Sequence, residues 1–127
     1  GVRRGEDPAN ALMWVVLGEP VTSVAIPLWV DAGRTPAVVR TGAVCEEAMR
    51  LKKLARPFVA GEKSEYLNLA RLDNAAGTGW LPLLLREESA IFRETEQFLT
   101  AAPTGARKAE FQERIAERVM QVLRSVR

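Results

Sequence analysis

Residues 11–30, "ALMWVVLGEPVTSVAIPLWV", constrain the fold more than any other part of this chain. Two apolar runs meet at "GEPV", and neither has a polar face. An antiparallel strand in a small sheet ordinarily alternates apolar and polar residues, because one side packs on the core and the other meets water. Both runs are rich in Val, Ile and Trp, which favour strands, and Gly18, Glu19 and Pro20 between them favour a turn. The pattern predicts an antiparallel hairpin of residues 11–17 and 22–30. On the first strand Met13, Val15 and Leu17 share one face and Leu12, Trp14 and Val16 the other; on the second, Val24, Ile26 and Leu28 oppose Ala25, Pro27 and Trp29. Pro27 has no N–H to give a ladder, so its strand belongs at an edge or carries a bulge. Leu84, Phe92, Val119 and their neighbours can cover one face of such a hairpin. The second face calls for another sheet or another chain.

The remaining segments read as connections and helices. "DAGRTPAVVRTGA" is a Gly- and Pro-containing link in which residues 37–39 suit a brief extended piece. A helix follows over residues 44–54, with Val44, Ala48, Leu51 and Leu54 on one stripe and Pro57 helping to end it. "GEKSEYLNLARLDNAAGTG" fits either a short helix or an extended piece carrying Tyr66, Leu67, Leu69 and Leu72, and residues 73–79 read as a loop. Over residues 80–101, Leu81, Leu84, Leu85, Ile91, Phe92, Phe98 and Leu99 keep helical spacing. After "APTGA" a second helix is expected at residues 106–126, with Phe111, Ile115, Val119, Met120, Val122, Leu123 and Val126 as its stripe. So short a link between long helices suggests an antiparallel pair. The fold class expected is therefore α+β: a hairpin, a middle helix and a C-terminal helical pair.

Composition removes several classes of function. The chain has 127 residues, 47% hydrophobic and 27% charged, which suits one globular unit with a real core. It contains no His and one Cys, so Ser-His-Asp and Cys-His catalysis, a Cys-x-x-Cys redox pair and the usual zinc sites cannot be assembled from it alone. No cofactor or metal is expected. The 18 basic and 16 acidic residues are interspersed, which gives no general reason to expect nucleic acid. No apolar run approaches the roughly 18 residues of a membrane span, and "GVRRGEDPANA" does not have the form of a signal peptide. Gly1 in place of an initiator methionine is expected of a processed product or a piece of a longer protein.

Individual residues carry little catalytic signal. Cys45 stands at the start of a helix, where the dipole could favour a thiolate, but Glu46 and Glu47 adjoin it and a small packing residue is the simpler role. Glu88 lies on the apolar stripe of the long helix, where a buried acid could be functional or could pair with an arginine such as Arg86 or one from another element. Arg107, Lys108, Arg114, Arg118, Arg124 and Arg127 on the last helix are interleaved with Glu110, Glu113 and Glu117, the pattern of a solvated, charge-mixed face. "GTG" at residues 77–79 is too short for a phosphate loop and reads as a turn.

The order "MWVVLGEPVTSVAIPLWVDAG", then "VCEEAMRLKK", then "YLNLARLDNAAGTGWLPLLLREESAIF" resembles the C-terminal part of bacterial proteins in the isopenicillin-N acyltransferase and carcinine hydrolase family, which are N-terminal nucleophile hydrolases. The resemblance spans residues 13–92 and lies in packing and turn patterns. It implies a four-layer αββα sandwich of which residues 1–127 are the C-terminal portion. It also implies cleavage or transfer at a linear amide by a cysteine exposed through self-cleavage, whose α-amine serves as base. Neither Gly1 nor Cys45 matches that nucleophile, so the expectation is a structural portion that is inactive alone. Its partner would be the rest of the parent chain or a second subunit, its substrate a small amide or acyl compound. Trp14 and Trp29 are the candidates for lining a substrate pocket. The resemblance further implies export to the periplasm or outside the cell. The rival expectations are a non-catalytic protein-interaction module that docks through the hairpin or the helical pair, and a small basic binder of nucleic acid.

Overall fold

A computed structural model describes residues 7–56 and 67–127, and the expectations placed on Pro57 and Tyr66 lie outside these residues. The fold is α+β and mostly helical. Strands β1 (Leu12–Val15) and β2 (Ile26–Trp29) pair antiparallel, and helices α1 (Ala37–Arg40), α2 (Ala43–Ala55), α3 (Leu69–Leu72), α4 (Leu81–Leu99) and α5 (Gly105–Ser125) follow.

The hairpin differs from the expected one in its connection. The strands are four residues each, shorter than the apolar runs that contain them, and a single tight turn at Gly18–Pro20 does not join them. Instead the chain makes a 3-10 turn at Pro20–Thr22 and runs irregularly to Ile26. Tertiary bonds hold this path: the Thr22 hydroxyl donates to the Ala48 carbonyl of α2 at 3.0 Å, and the Ala25 N–H donates to Glu88 Oε1 of α4 at 3.0 Å. Gly18 has φ +87°, and a Cβ there would press on Ala48, so both its backbone and its neighbour require glycine. The register is Leu12 with Trp29, Met13 with Leu28, Trp14 with Pro27 and Val15 with Ile26. This gives the two face assignments expected from alternation.

The C-terminal helix is the centre of the core. Phe111, Ile115, Val119, Met120, Leu123 and Val126 are buried as their spacing predicts, and α5 packs on both β2 and α2. Val44, Ala48 and Leu51 of α2 complete the opposite wall. Thr104 caps α5 by accepting from the Arg107 N–H, and Asn68 caps α3 by accepting from the Ala70 N–H. The long helices run antiparallel: Phe98 stacks on Phe111 with ring centroids 4.2 Å apart, Glu94 pairs with Arg114 and Arg118, and Glu87 also pairs with Arg118.

Two local expectations are corrected. Residues 37–39 belong to helix α1, because Pro36 sets the entry and Glu113 of α5 accepts the otherwise free Ala37 N–H at 2.9 Å. On α4 only half of the expected stripe is used. Leu84, Ile91 and Thr95 face the core, while Leu85, Phe92 and Leu99 recur seven residues apart along a flank that is 52%, 37% and 37% exposed. The ambiguous segment before α4 resolves at its end into the single-turn helix α3, and residues 73–79 are a loop.

Candidate functional site

The backbone at the two edges of the sheet is treated very differently. The Val30 N–H donates to the Ala11 carbonyl, so Ile26, Leu28 and Val30 direct their backbone bonds toward β1, whereas Ala25, Pro27 and Trp29 direct theirs away from it. None of those outward positions leaves a free N–H. Ala25 donates to Glu88, Pro27 has no N–H, and the Trp29 N–H donates to Gln112 Oε1 at 3.2 Å. The acid on the apolar stripe of α4 is thus a bracket for an outer-edge amide. Pro27 sits at an edge, as expected, and two helices close that edge.

Strand β2 is largely covered within this chain, with Ile26, Pro27 and Trp29 buried and Leu28 half-buried. Ile26 is fully buried and Trp29 only 5% exposed. The expectation that one whole face of the hairpin waits for another sheet is therefore corrected: the uncovered apolar side chains lie along residues 13–16 on both faces of the sheet, with Val30 70% exposed at its end. Met13 is 58% exposed, Trp14 37% and Val16 42%. Trp14 meets Phe92 edge to face with centroids 4.4 Å apart, so the open surface of β1 continues onto the Leu85, Phe92 and Leu99 flank of α4. The N–H and C=O groups of Leu12 and Trp14 on this side point away from β2 by the same alternation.

The two tryptophans consequently occupy different settings. Trp29 belongs to a packed aromatic cluster with Phe98 and Phe111, its ring centroid 6.0 and 5.9 Å from theirs. Trp14 lies on the surface. They are on the same face of the sheet, whose four residue pairs carry a packed indole at one position and a surface one at another. Trp29 does line a cleft of about 380 Å³ at the end of the hairpin, with Leu12, Met13, Leu28, Val30, Arg34 and Thr35 around it.

Polar residues on the buried stripe of α5 hold the segment after β2. Lys108 is 4% exposed, and its ammonium donates to Asn10 Oδ1 at 2.9 Å and Asp31 Oδ2 at 2.6 Å. Burying that charge is tolerable only because both partners face it. One turn on, Gln112 accepts from Trp29 and its Nε2 donates to the Arg34 carbonyl at 2.5 Å. The placement of Lys108 on a solvated face is thereby corrected, since its ammonium is drawn inward to Asn10 and Asp31, and Gln112 was given no role by the sequence. The available signal was a Lys and a Gln at i, i+4 within an apolar stripe, where water cannot satisfy them.

The other sequence candidates serve as structure. Cys45 is half-buried in the first turn of α2. Glu47 binds Arg50 and Arg124, and the hydrogen bond from Arg50 is the main reason its carboxyl titrates below the ordinary range. Arg118 bonds Glu94 and Glu87, which raise its already high pKa. Arg114, Arg118 and Arg124 of α5 are thereby engaged in ion pairs, the first also lying over the Phe111 ring. Among the described residues no three His, Cys, Asp or Glu side chains cluster as metal ligands, and no helix is long and apolar enough to cross a membrane. No family model, curated protein or solved structure matches the chain.

Proposed function

We propose that this chain is the C-terminal structural portion of a linear-amide C–N hydrolase or acyltransferase of the N-terminal nucleophile type, whose nucleophilic cysteine is carried elsewhere. One observation bears most of the weight. The two-stranded sheet is closed by Glu88, Pro27 and Gln112 on the β2 side and open along an apolar, uncharged β1 on the other. A hairpin of two four-residue strands is marginal by itself, and an apolar edge without charge or proline is a template for a further strand. In the proposed protein that strand comes from the remainder of the parent chain or a second subunit. The αββα sandwich then grows from β1, with α4 and α5 as an outer helix layer. The amide chemistry itself rests on the sequence order from "MWVVLGEPV" to "REESAIF".

The same open edge also suits a non-catalytic interaction module that binds a partner by strand addition. The gene upstream of Gly1 separates the readings. A cysteine at a self-cleavage site followed by strand-rich sequence is expected. The corresponding full protein should hydrolyse a linear N-acyl amide and lose that activity when the cysteine becomes alanine. Hydrogen exchange provides an independent check: the Leu12 and Trp14 amides should exchange rapidly in the isolated chain and become protected in the full protein. A start codon directly before Gly1, or slow exchange at both amides in an isolated monomer, would overturn the proposal.

A further inference from the structure

The outer edge of β1 and the exposed flank of α4 form one apolar surface. Met13 is 58% exposed and Trp14 37%, and the backbone groups of Leu12 and Trp14 point outward, so the edge calls for an extended chain. Beside it on α4, Leu85, Phe92 and Leu99 recur at seven-residue spacing, which keeps them on one ridge. Phe92 packs on Trp14, so the midpoint of the ridge stands beside the middle of the edge. Residues 11–17 carry no charge.

An isologous contact needs a surface matched to itself under two-fold rotation, and this surface meets that condition. Leu85 and Leu99 are equally far from Phe92 along α4, so two ridges running antiparallel set Leu85 of each copy against Leu99 of the other. Strand β1 pairs with itself in the same sense. Leu12 of each copy exchanges both backbone bonds with Trp14 of the other, which leaves Met13 directly opposite Met13. One axis perpendicular to the sheet does both, because it keeps the two copies of α4 on the same face. The spacing agrees as well. Helix α4 touches Trp14 of β1 through Phe92 and Trp29 of β2 through Phe98, so it lies over the hairpin. Two hairpins side by side in one sheet have midlines two strand spacings apart, about 10 Å, which is the distance between packed helices.

We propose that the strand completing this edge is β1 of a second copy, giving a two-fold dimer with a four-stranded sheet and a seam between the two α4 helices. The inference rests on the reading that β1 takes a further strand, and it names the subunit that supplies one. The rapid amide exchange expected of an isolated chain then belongs to the dilute monomer.

The test is sedimentation equilibrium of the 127-residue chain over a concentration series, with Leu12 and Trp14 amide exchange followed at both ends of it. A monomer–dimer equilibrium is expected, with both amides fast in the monomer and protected in the dimer. Met13→Lys and Met13→Glu should each weaken self-association about tenfold, because each sets like charges opposite one another in place of an apolar contact. An equimolar mixture of the two variants should associate about as well as the parent, which also shows that both fold. Phe92→Glu should weaken association through the helix seam, whereas Leu69→Lys, at a 71% exposed position on α3, should leave it unchanged. A chain that stays monomeric with both amides fast would overturn the second copy and leave the sheet-completion reading standing. A monomer with both amides slow would overturn both. A dimer indifferent to the Met13 substitutions, or a mixture that fails to associate, would also sink the proposal.

Discussion

Replacing Gln112 with leucine tests how the segment after β2 is held. The side chain is 1% exposed and serves two backbone groups, accepting from Trp29 at 3.2 Å and donating to Arg34 at 2.5 Å. Leucine is of similar size, so the cavity term is small, but a buried donor and an acceptor lose their partners. Each such group costs roughly 1–3 kcal/mol when left unsatisfied. The Trp29 N–H lies in the core and should sit at the upper end of that range; the Arg34 carbonyl belongs to an exposed residue and can recruit water. The added apolar burial returns about 1 kcal/mol. The expected net destabilisation is about 2–3 kcal/mol, a large share of the roughly 5–15 kcal/mol typical of a whole domain. Urea unfolding followed by tryptophan fluorescence should show a lower midpoint with an unchanged slope. Hydrogen exchange should place the accelerated amide at Trp29. A midpoint within about 0.5 kcal/mol of the parent, the usual range for neutral surface changes, would refute the reasoning, as would a Trp29 amide that stays protected.

Two further outcomes follow from local geometry. A Cβ at Gly105 would run into the Asp31 carbonyl oxygen, so Gly105→Ala should cost about 1–3 kcal/mol in urea unfolding despite alanine's better helix propensity, and should disturb the Lys108–Asp31 pair. Glu47 has its folded-state pKa lowered by Arg50 and Arg124, so it stabilises the fold fully above its ordinary value of 4.5. That contribution should be lost progressively as the pH falls below this value, through the lower folded-state pKa. Glu47→Gln should flatten the acid limb of the stability profile over that interval, and an unchanged profile would count against the ion pair.

Some of this protein is legible from local pattern alone. Helical spacing located α2, α4 and α5 to within about two residues, because amphipathic periodicity is a property of consecutive side chains. Alternation likewise assigned the two faces of the hairpin, and Pro27 pointed to an edge. Local pattern was insufficient where a distant group supplies a partner. Residues 37–39 are helical because Glu113 takes up the Ala37 amide, and the hairpin connection is long because Ala48 and Glu88 hold Thr22 and Ala25.

The candidate site divides in the same way. The apolar character of residues 11–30 was evident from the chain, as was the choice of Trp14 and Trp29 as residues of interest. That Trp29 packs on Phe98 and Phe111 while Trp14 stays at the surface against Phe92 depends on how α4 and α5 cross the sheet. Sequence by itself determined which segments are apolar and with what period, since those follow from residue type and spacing. Only the tertiary structure decided which apolar surfaces are covered and which edge is sealed, because a side chain such as Gln112 can close a strand edge only after folding brings it there, 83 residues along the chain from Trp29.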